Sequence, residues 1–513
     1  MNGAESLVHT LLASGVDTCF ANPGTSEMHF VAALDRIPGM RCVLGLQENV
    51  VTGMADGYYR MTGKPAATLL HCGPGLANGL GNLHNARRAR SGIVNIVGDQ
   101  ATYHRPYDAQ LTADTEGWAR PVSAWTRTAT DSATVGQDAA VAVQAARTAP
   151  GQIATLILPA DTAWNEGGVV ADALPVPAPV APDPQAVRNA ARVLREKKNV
   201  LILLGGAALR GRTQALAWRA AAGTGQKVMG EMSNARVEHG QGRLPLDRVP
   251  YPVDAAVAAL APYEHLILVN AKAPVGFFAY PGKPSKHYAE HAEVHVLSRY
   301  EQDAELALLA LVEELGSPEV TLPDLGPRPG LGRGAPTSEG VAQTVAALMP
   351  EGSIVVDESV SFGRSFFSGT HAAAPHDWLQ LTGGAIGDGI PLATGSAIGA
   401  GGQRRVVNLQ ADGSAMYTLQ GLWTQAREKL PVTTVILANR KYQILIGEYQ
   451  NVGANPGPTA MNMLDLGNPD LNWVHLANGM GVEAARATSL EQLGDLMAQS
   501  FAQDGPFVIE LVI

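Results

Sequence analysis

The chain has 513 residues, 46% hydrophobic and 16% charged, which is enough apolar material for three or four packed domains. Its formal net charge of −10, from 37 basic and 47 acidic residues, argues against a nucleic-acid partner. No stretch reaches a charge-free transmembrane length, and Met1-Asn2-Gly3-Ala4-Glu5 lacks the marks of a secretory signal, so a cytoplasmic protein without membrane contact is expected. Cys19, Cys42 and Cys72, each in an apolar setting, read as buried reduced thiols, and no spacing suggests zinc.

Along the chain, Asn22-Pro23-Gly24-Thr25-Ser26-Glu27 reads as a loop that opens a helix. Thr25 and Ser26 there either cap that helix or donate to a substrate carboxylate. Val43-Leu44-Gly45-Leu46 reads as a buried strand, which sets Glu48 among apolar neighbours that would raise its pKa. Taken alone, a Glu at a helix start serves equally as a partner for the helix dipole. His71, before Cys72-Gly73-Pro74-Gly75, is either a core histidine at a strand end or an imidazole that binds a carboxylate or relays a proton. Arg87-Arg88-Ala89-Arg90 reads as the basic end of a helix begun near Gly79, and not as a phosphate reader. His84, His104, His287 and His291 read as surface or packing residues.

Val170 to Pro184 and Leu322 to Pro336 are too rich in proline and glycine for regular structure. They divide the chain into residues 1–165, 185–321 and 337–513. In each part strands alternate with helical patterns, which predicts an α/β protein of three doubly wound parallel-sheet domains. In the central part Val200 to Leu204 run into Gly205-Gly206 without completing G-x-G-x-x-G, so neither a nucleotide nor a flavin is expected there.

The most informative stretch comes last. Arg405-Val406-Val407-Asn408-Leu409 and Val432 to Leu437 read as buried strands. Between them Met416, Leu419, Leu422, Trp423, Ala426 and Leu430 recur at helical steps. The βαβ unit sets Asp412 and Asn439 at the carboxyl ends of adjacent parallel strands, where such sheets bind ligands. A carboxylate and an amide oxygen there supply part of an octahedral oxygen site for Mg2+. Gly413 lets the backbone approach closely, and Ser414 opens the helix, whose free N–H groups suit a diphosphate. The plain alternative is an Asp-Gly turn, a helix and a buried Asn.

The spacing from Asp412 to Asn439 resembles the diphosphate motif of thiamine-diphosphate enzymes, GDG(S/A) with a distant Asn, although Ala411 replaces the first glycine. Leu46-Gln47-Glu48-Asn49 with Gly53 to Arg60 resembles the pyrimidine-side motif of the same superfamily. Nearly the whole chain is similar to its benzoylformate decarboxylase and acetolactate synthase large-subunit branch. The resemblance implies thiamine diphosphate and Mg2+ as cofactors, with the metal on Asp412, Asn439 and the backbone carbonyl of Lys441. By the same resemblance Glu48 activates the cofactor through N1′ of its aminopyrimidine, and His71 matches the first catalytic histidine. Residues 22–27 match the first active-site loop, which brings Thr25 and Ser26 to the substrate. Gly384-Ala385-Ile386-Gly387 matches the stretch whose aliphatic residue, here Ile386, wedges the cofactor into its bent form.

Tyr442, Gln443, Ile444 and Leu445 are expected to line the substrate pocket, and Ile444 to narrow it toward modest aliphatic substrates. The second catalytic histidine of the branch has no match, since Pro274 to Gly282 stands in its region. Slower protonation after decarboxylation would then give carboligation weight. In the family the two cofactor-binding domains come from different subunits, so a homodimer is the minimal unit and a homotetramer is expected. The implied activity is decarboxylation or carboligation of a small 2-oxo acid or aldehyde substrate. Branched-chain acetohydroxyacid synthesis fits less well, because the segment after Asn439 lacks that enzyme's Gln- and Trp-rich selectivity stretch. A lyase of 2-hydroxy ketones or 2-hydroxyacyl thioesters would share every cofactor residue, and a non-catalytic regulatory paralogue is the remaining alternative.

Overall fold

Runs rich in β-branched and aliphatic residues, such as Ile153–Pro159 and Val432–Ala438, form strands buried on both faces, as parallel sheets require. The computed structural model, which describes residues 1–513, arranges these strands into three sheets. The first contains β1 (Thr18–Asn22), β2 (Arg41–Leu44), β3 (Ala66–Leu70), β4 (Ile93–Asp99), β5 (Trp125–Thr128) and β6 (Ile153–Pro159). All are parallel, in the order β2-β1-β3-β4-β6-β5. Next come β7 (Val200–Leu204), β8 (Lys227–Gly230), β9 (Val237–His239), β10 (His265–Val269) and β11 (Glu293–Ser298). Four of these make the parallel second sheet, β11-β10-β7-β8, while β9 leaves it. The third sheet adds β12 (Ile354–Glu358), β13 (His376–Gln380), β14 (Val406–Ala411), β15 (Val432–Ala438), β16 (Glu483–Ala487) and β17 (Phe507–Val512). Its order is β16-β17-β15-β14-β12-β13-β9.

The alternating pattern thus yields three α/β domains, with one amendment. Strand β9 pairs antiparallel with β13, His239 opposite His376, so the third sheet is mixed at one edge. One apolar core runs from Leu204 and Ile267 of the second sheet to Val407 and Leu437 of the third. Another joins Met54 and Tyr58, on the helix Glu48–Thr62, to Leu392 and Ala397 on the helix Gly389–Gly399. Those two helices touch through their backbones: a Cβ on Gly395 would fall 1.9 Å from the carbonyl oxygen of Met54. At the same junction Arg60 donates to both oxygens of Asp56 (2.9 and 2.6 Å) and to the carbonyl of Gln380 (2.7 Å). Asp388 lies 3.9 Å away, fully buried, and burial holds its carboxyl pKa well above the usual range.

Three further expectations change. Residues 412–430 do not form one helix but a turn, Asp412–Ala415, and a helix, Gly421–Arg427. The chain between them is held by the Thr418 hydroxyl, which donates to the carbonyl of Gly387 (2.9 Å). Cys42 is exposed because β2 is an edge strand, whereas Cys19 and Cys72 are buried. The helix ending in the arginine run starts at Cys72, not near Gly79. Residues 322–336 hold no helix or strand, and residues 170–183 only an isolated bridge from Val180 to Gln302. No helix is long and apolar enough to cross a membrane.

Candidate active site in two halves

The parallel register of β14 and β15 sets Ala411 beside Leu437, so Asp412 and Asn439 leave the sheet side by side. Asp412 is buried, and its two oxygens accept from the amides of Gly413 (2.8 Å) and Arg440 (2.7 Å). Burial pushes its carboxyl pKa up, and these amide donors pull it back. The Asn439 side-chain oxygen accepts from the amide of Lys441 (3.1 Å), so residues 439–441 form a tight turn whose Arg440 amide is held by Asp412. Together Asp412, Asn439 and Lys441 offer a carboxylate, an amide oxygen and a backbone carbonyl, all hard oxygens of the kind Mg2+ takes. Ser414 lies inside a single helical turn, where its hydroxyl donates to the carbonyl of Ala411 (3.1 Å) and accepts from Gln410 (2.7 Å). A Cβ on Gly413 would meet the Tyr442 ring at 2.5 Å, so only glycine fits beneath that ring.

Tyr442 forms part of the wall of a cavity of about 740 Å³, together with Gly384, Ile386, Ile444 and Leu445. Gln443, also expected there, is exposed and not part of the wall. Phe277 and Phe278, from the segment that stands where a second histidine was sought, face the same space. Gly384 has a φ of +81°, and a Cβ there would lie 2.4 Å from the Phe277 ring, so this phenyl packs directly on the Ile386 loop. From the end of β12, Glu358 pins that loop. Its carboxylate accepts from the amides of Gly387 (2.7 Å) and Gly389 (2.7 Å) and from Gln410 (2.8 Å). Sequence reading passed over Glu358, although an acid closing the apolar run Ile354-Val355-Val356 is the same signal that marks Asp412.

The other half gathers around His71, half-buried at the end of β3. Glu27 is fully buried, and one of its oxygens faces both the Gly24 amide (2.7 Å) and His71 Nδ1 (2.9 Å). Where the Glu27 carboxylate accepts this bond, Nδ1 carries the hydrogen and Nε2 is left for a ligand. The Ser26 hydroxyl donates to the other Glu27 oxygen and lies 3.2 Å from the Cys72 sulfur. Burial pushes the Cys72 thiol up to about 11. Gly98 makes room for Glu27, since a Cβ there would overlap its carboxylate. Thr25 is exposed, and neither Thr25 nor Ser26 caps the helix that follows.

Glu48 opens its helix and accepts from the Asn78 side chain (3.1 Å). A Cβ on Gly75 would lie 3.5 Å from both the Glu48 carboxylate and the His71 Cβ, so the two residues border one groove. The expected apolar burial is incomplete within one chain: Glu48 is half-buried and Leu46 is exposed beside an edge strand. None of Glu48, His71, Thr25 and Ser26 lines the Ile386 cavity.

The arginine run does more than end a helix. Arg90 closes it in the left-handed conformation (φ +59°) and sets its guanidinium 3.0 Å over the Tyr300 ring. Arg87 and Arg88 join Lys272 and Glu231 around a cavity of about 310 Å³ at the end of the second sheet. Glu231 already fills the glycine turn after β7, its carboxylate 2.5 Å from where a Gly205 Cβ would stand. His84 faces the carbonyl of Gly383 at 3.2 Å, and His287 is buried.

Comparison with known proteins fits this geometry. Residues 1–118 match the N-terminal TPP binding domain of thiamine pyrophosphate enzymes, and residues 364–511 match the C-terminal TPP binding domain. The chain is 49% identical, over 100% of its length and 99% of the relative, to a Mycobacterium tuberculosis protein provisionally named acetolactate synthase large subunit IlvX. It is 28% identical to the benzoylformate decarboxylase of Pseudomonas aeruginosa, over 97% of this chain and 96% of that one. The thiamine-diphosphate-dependent 4-hydroxybenzoylformate decarboxylase of Rhodococcus jostii shares the fold, with a TM-score of 0.86 at 24% identity over 99% of this chain and 98% of the other. Likeness that runs the full length of both partners leaves one assignment: the chain belongs to the thiamine-diphosphate-dependent enzymes, in the branch of benzoylformate decarboxylase and acetolactate synthase.

Proposed function

We propose that the protein is a Mg2+-dependent 2-oxo acid decarboxylase or carboligase, with a homodimer as its minimal unit and a homotetramer as its working form. The observation that carries this reading is the division of the site. Ile386 and Tyr442, whose ring covers Gly413 next to Asp412, line one cavity, whereas Glu48 and His71, with Ser26 beside His71, border a groove elsewhere on the same chain. One cofactor that touches both sets takes its second half from another copy, as closed two-fold assemblies allow. Residues 1–165 and 337–513 would then act as the two cofactor domains and 185–321 as the spacer between them. Two buried, reduced thiols fit a cytoplasmic setting.

Bound thiamine diphosphate would supply the electron sink for the carbon–carbon bond that breaks. Asp412, Asn439 and the Lys441 carbonyl would hold Mg2+ against its diphosphate. Ile386 would support the bent cofactor, on a loop that Glu358 keeps in place. Glu48 holds or moves a proton at N1′ of the aminopyrimidine. His71, its Nδ1–H turned toward Glu27, presents Nε2 to the substrate, and the Ser26 and Thr25 hydroxyls stand in the same loop. Across the cavity Phe277 offers an apolar surface and no proton. That favours carboligation to a second carbonyl over protonation.

The test supplies the protein with thiamine diphosphate, Mg2+ and a panel of 2-oxo acids, and measures carbon dioxide, aldehyde and 2-hydroxy ketone separately. Carbon dioxide with more hydroxy ketone than aldehyde is expected. Cleavage of 2-hydroxy ketones with no carbon dioxide from any 2-oxo acid would replace the reading with a lyase.

A further inference from the structure

Strands β10 and β11 pair in parallel with His265 opposite Glu293 and Ile267 opposite His295. Residues two apart on a strand share a face, so Glu293 and His295 stand together on β11 and His265 meets them from β10. His265 Nδ1 lies 3.3 Å from His295 Nε2, and one Glu293 oxygen lies 3.7 Å from each of these nitrogens. Donors about 2.0–2.1 Å from a tetrahedral Zn2+ stand about 3.3–3.4 Å from one another, so this triangle admits the ion with shifts of a few tenths of an ångström. Two ring nitrogens face at 3.3 Å only where one carries a hydrogen, and an ion would take the place of that shared proton.

Burial is graded around the triangle. The His265 side chain is 8% exposed and that of His295 19%, whereas Glu293 is 65% exposed. The two imidazoles form a packed floor, and the carboxylate closes one side next to solvent, which leaves a fourth position for water. The cation facing His295 is Arg192, and its charge is taken up by Glu196 at 3.4 Å.

We infer that His265, Glu293 and His295 form a binding site for a borderline divalent cation of the Zn2+ type. Its nitrogen-rich donor set differs in kind from the oxygen set of Asp412, Asn439 and Lys441. His265 and Glu293 are the first residues of their strands, at the end of the second sheet away from the glycine turn after β7. An ion there joins edge strand β11 to β10 and takes no part in the reaction.

The test uses the holoenzyme, saturated with thiamine diphosphate and Mg2+ and freed of transition metals by a chelator. Zn2+ alone is titrated against a chromophoric competitor, and Co2+ is followed in parallel by absorption. The expected result is one competitor-resolved Zn2+ per chain and a rise of Tm with Zn2+. His265→Gln with His295→Gln should weaken that binding by more than the roughly 10–100-fold that loss of an outer-shell partner costs. Co2+ should show ligand-field bands without a thiolate charge-transfer band. If the double variant fails to fold, the exposed Glu293→Gln should weaken Zn2+ by at least about tenfold and leave the metal-free Tm unchanged. A thiolate band would place the ion at Glu27, His71 and Cys72, the other group of donors within reach of one another, and would overturn the assignment. Equal Zn2+ affinity in the variants, or no tight Zn2+ in the unmutated protein, would overturn it as well.

Discussion

Glu27 holds His71 by a hydrogen bond that a carboxylate accepts and an amide oxygen accepts less strongly. Glu27→Gln should therefore lower turnover on 2-oxo acids by about 10²-fold, while deuterium exchange at the cofactor C2 keeps its rate. Equal loss in both measurements would mean that Glu27 only supports the fold. Glu48→Gln should behave the other way round, retaining the cofactor but slowing C2–H exchange by about 10²–10⁴, because an amide cannot share the N1′ proton. NMR of the bound cofactor in deuterium oxide reads this directly. Asp412→Ala removes the one anion of the oxygen set and should abolish cofactor binding at ordinary Mg2+ in calorimetric titration, with Asn439→Ala weaker in effect. The pairing of Asp412 with Asn439 was legible because both residues close apolar runs of strand length. Glu27 was not, although it ends the loop of residues 22–27. Its role depends on the space left by Gly98, which lies on another strand.

At the scale of elements, the β9–β13 pair carries a pH dependence. His239 and His376 face each other across it, with ring centroids 5.0 Å apart, and each ring faces a carbonyl oxygen, of Phe367 and Ala374. Burial holds His376 down at about 4 and His239 well below the ordinary histidine value. An unfolded histidine takes its proton near pH 6.5, so below that pH the unfolded chain binds protons that the folded one refuses. Stability is complete above about pH 6.5 and falls as the pH drops toward 4, by about 3 kcal/mol from His376 alone. Denaturant midpoints compared at neutral pH and at pH 5 should show the loss, and His376→Gln should reduce it, leaving the share of His239. A midpoint unchanged by acid would contradict this account. Sequence periodicity gave the alternation of strands and helices but neither of these two strands nor their pairing. Nothing local in Val237–His239 tells a three-residue strand which sheet it will join. The same blindness made one helix of residues 412–430, since the break at Thr418 answers to the distant carbonyl of Gly387.

For the whole molecule, a shared site makes a distinctive prediction. Glu48→Gln and Asp412→Ala chains, each inactive alone, are refolded or exchanged together in equal amounts. A two-fold dimer that builds each site from both copies gives one wild-type site in every mixed dimer, and about a quarter of full activity overall. If both halves of a site came from one chain, the mixture would stay inactive.

Strand β9 has a consequence for how this chain can be divided. It covers the outer edge of β13, where Asp377 and the fully buried Trp378 lie in register with Glu238 and Val237. Chain cut within residues 322–336 would release a C-terminal piece whose sheet ends in bare amides and carbonyls beside that tryptophan, a template for stacking onto its own kind. Three residues lent by the middle of the chain thus keep the last sheet from polymerising. Any ancestor that exchanged its central module would have had to bring along a new strand to guard the same edge.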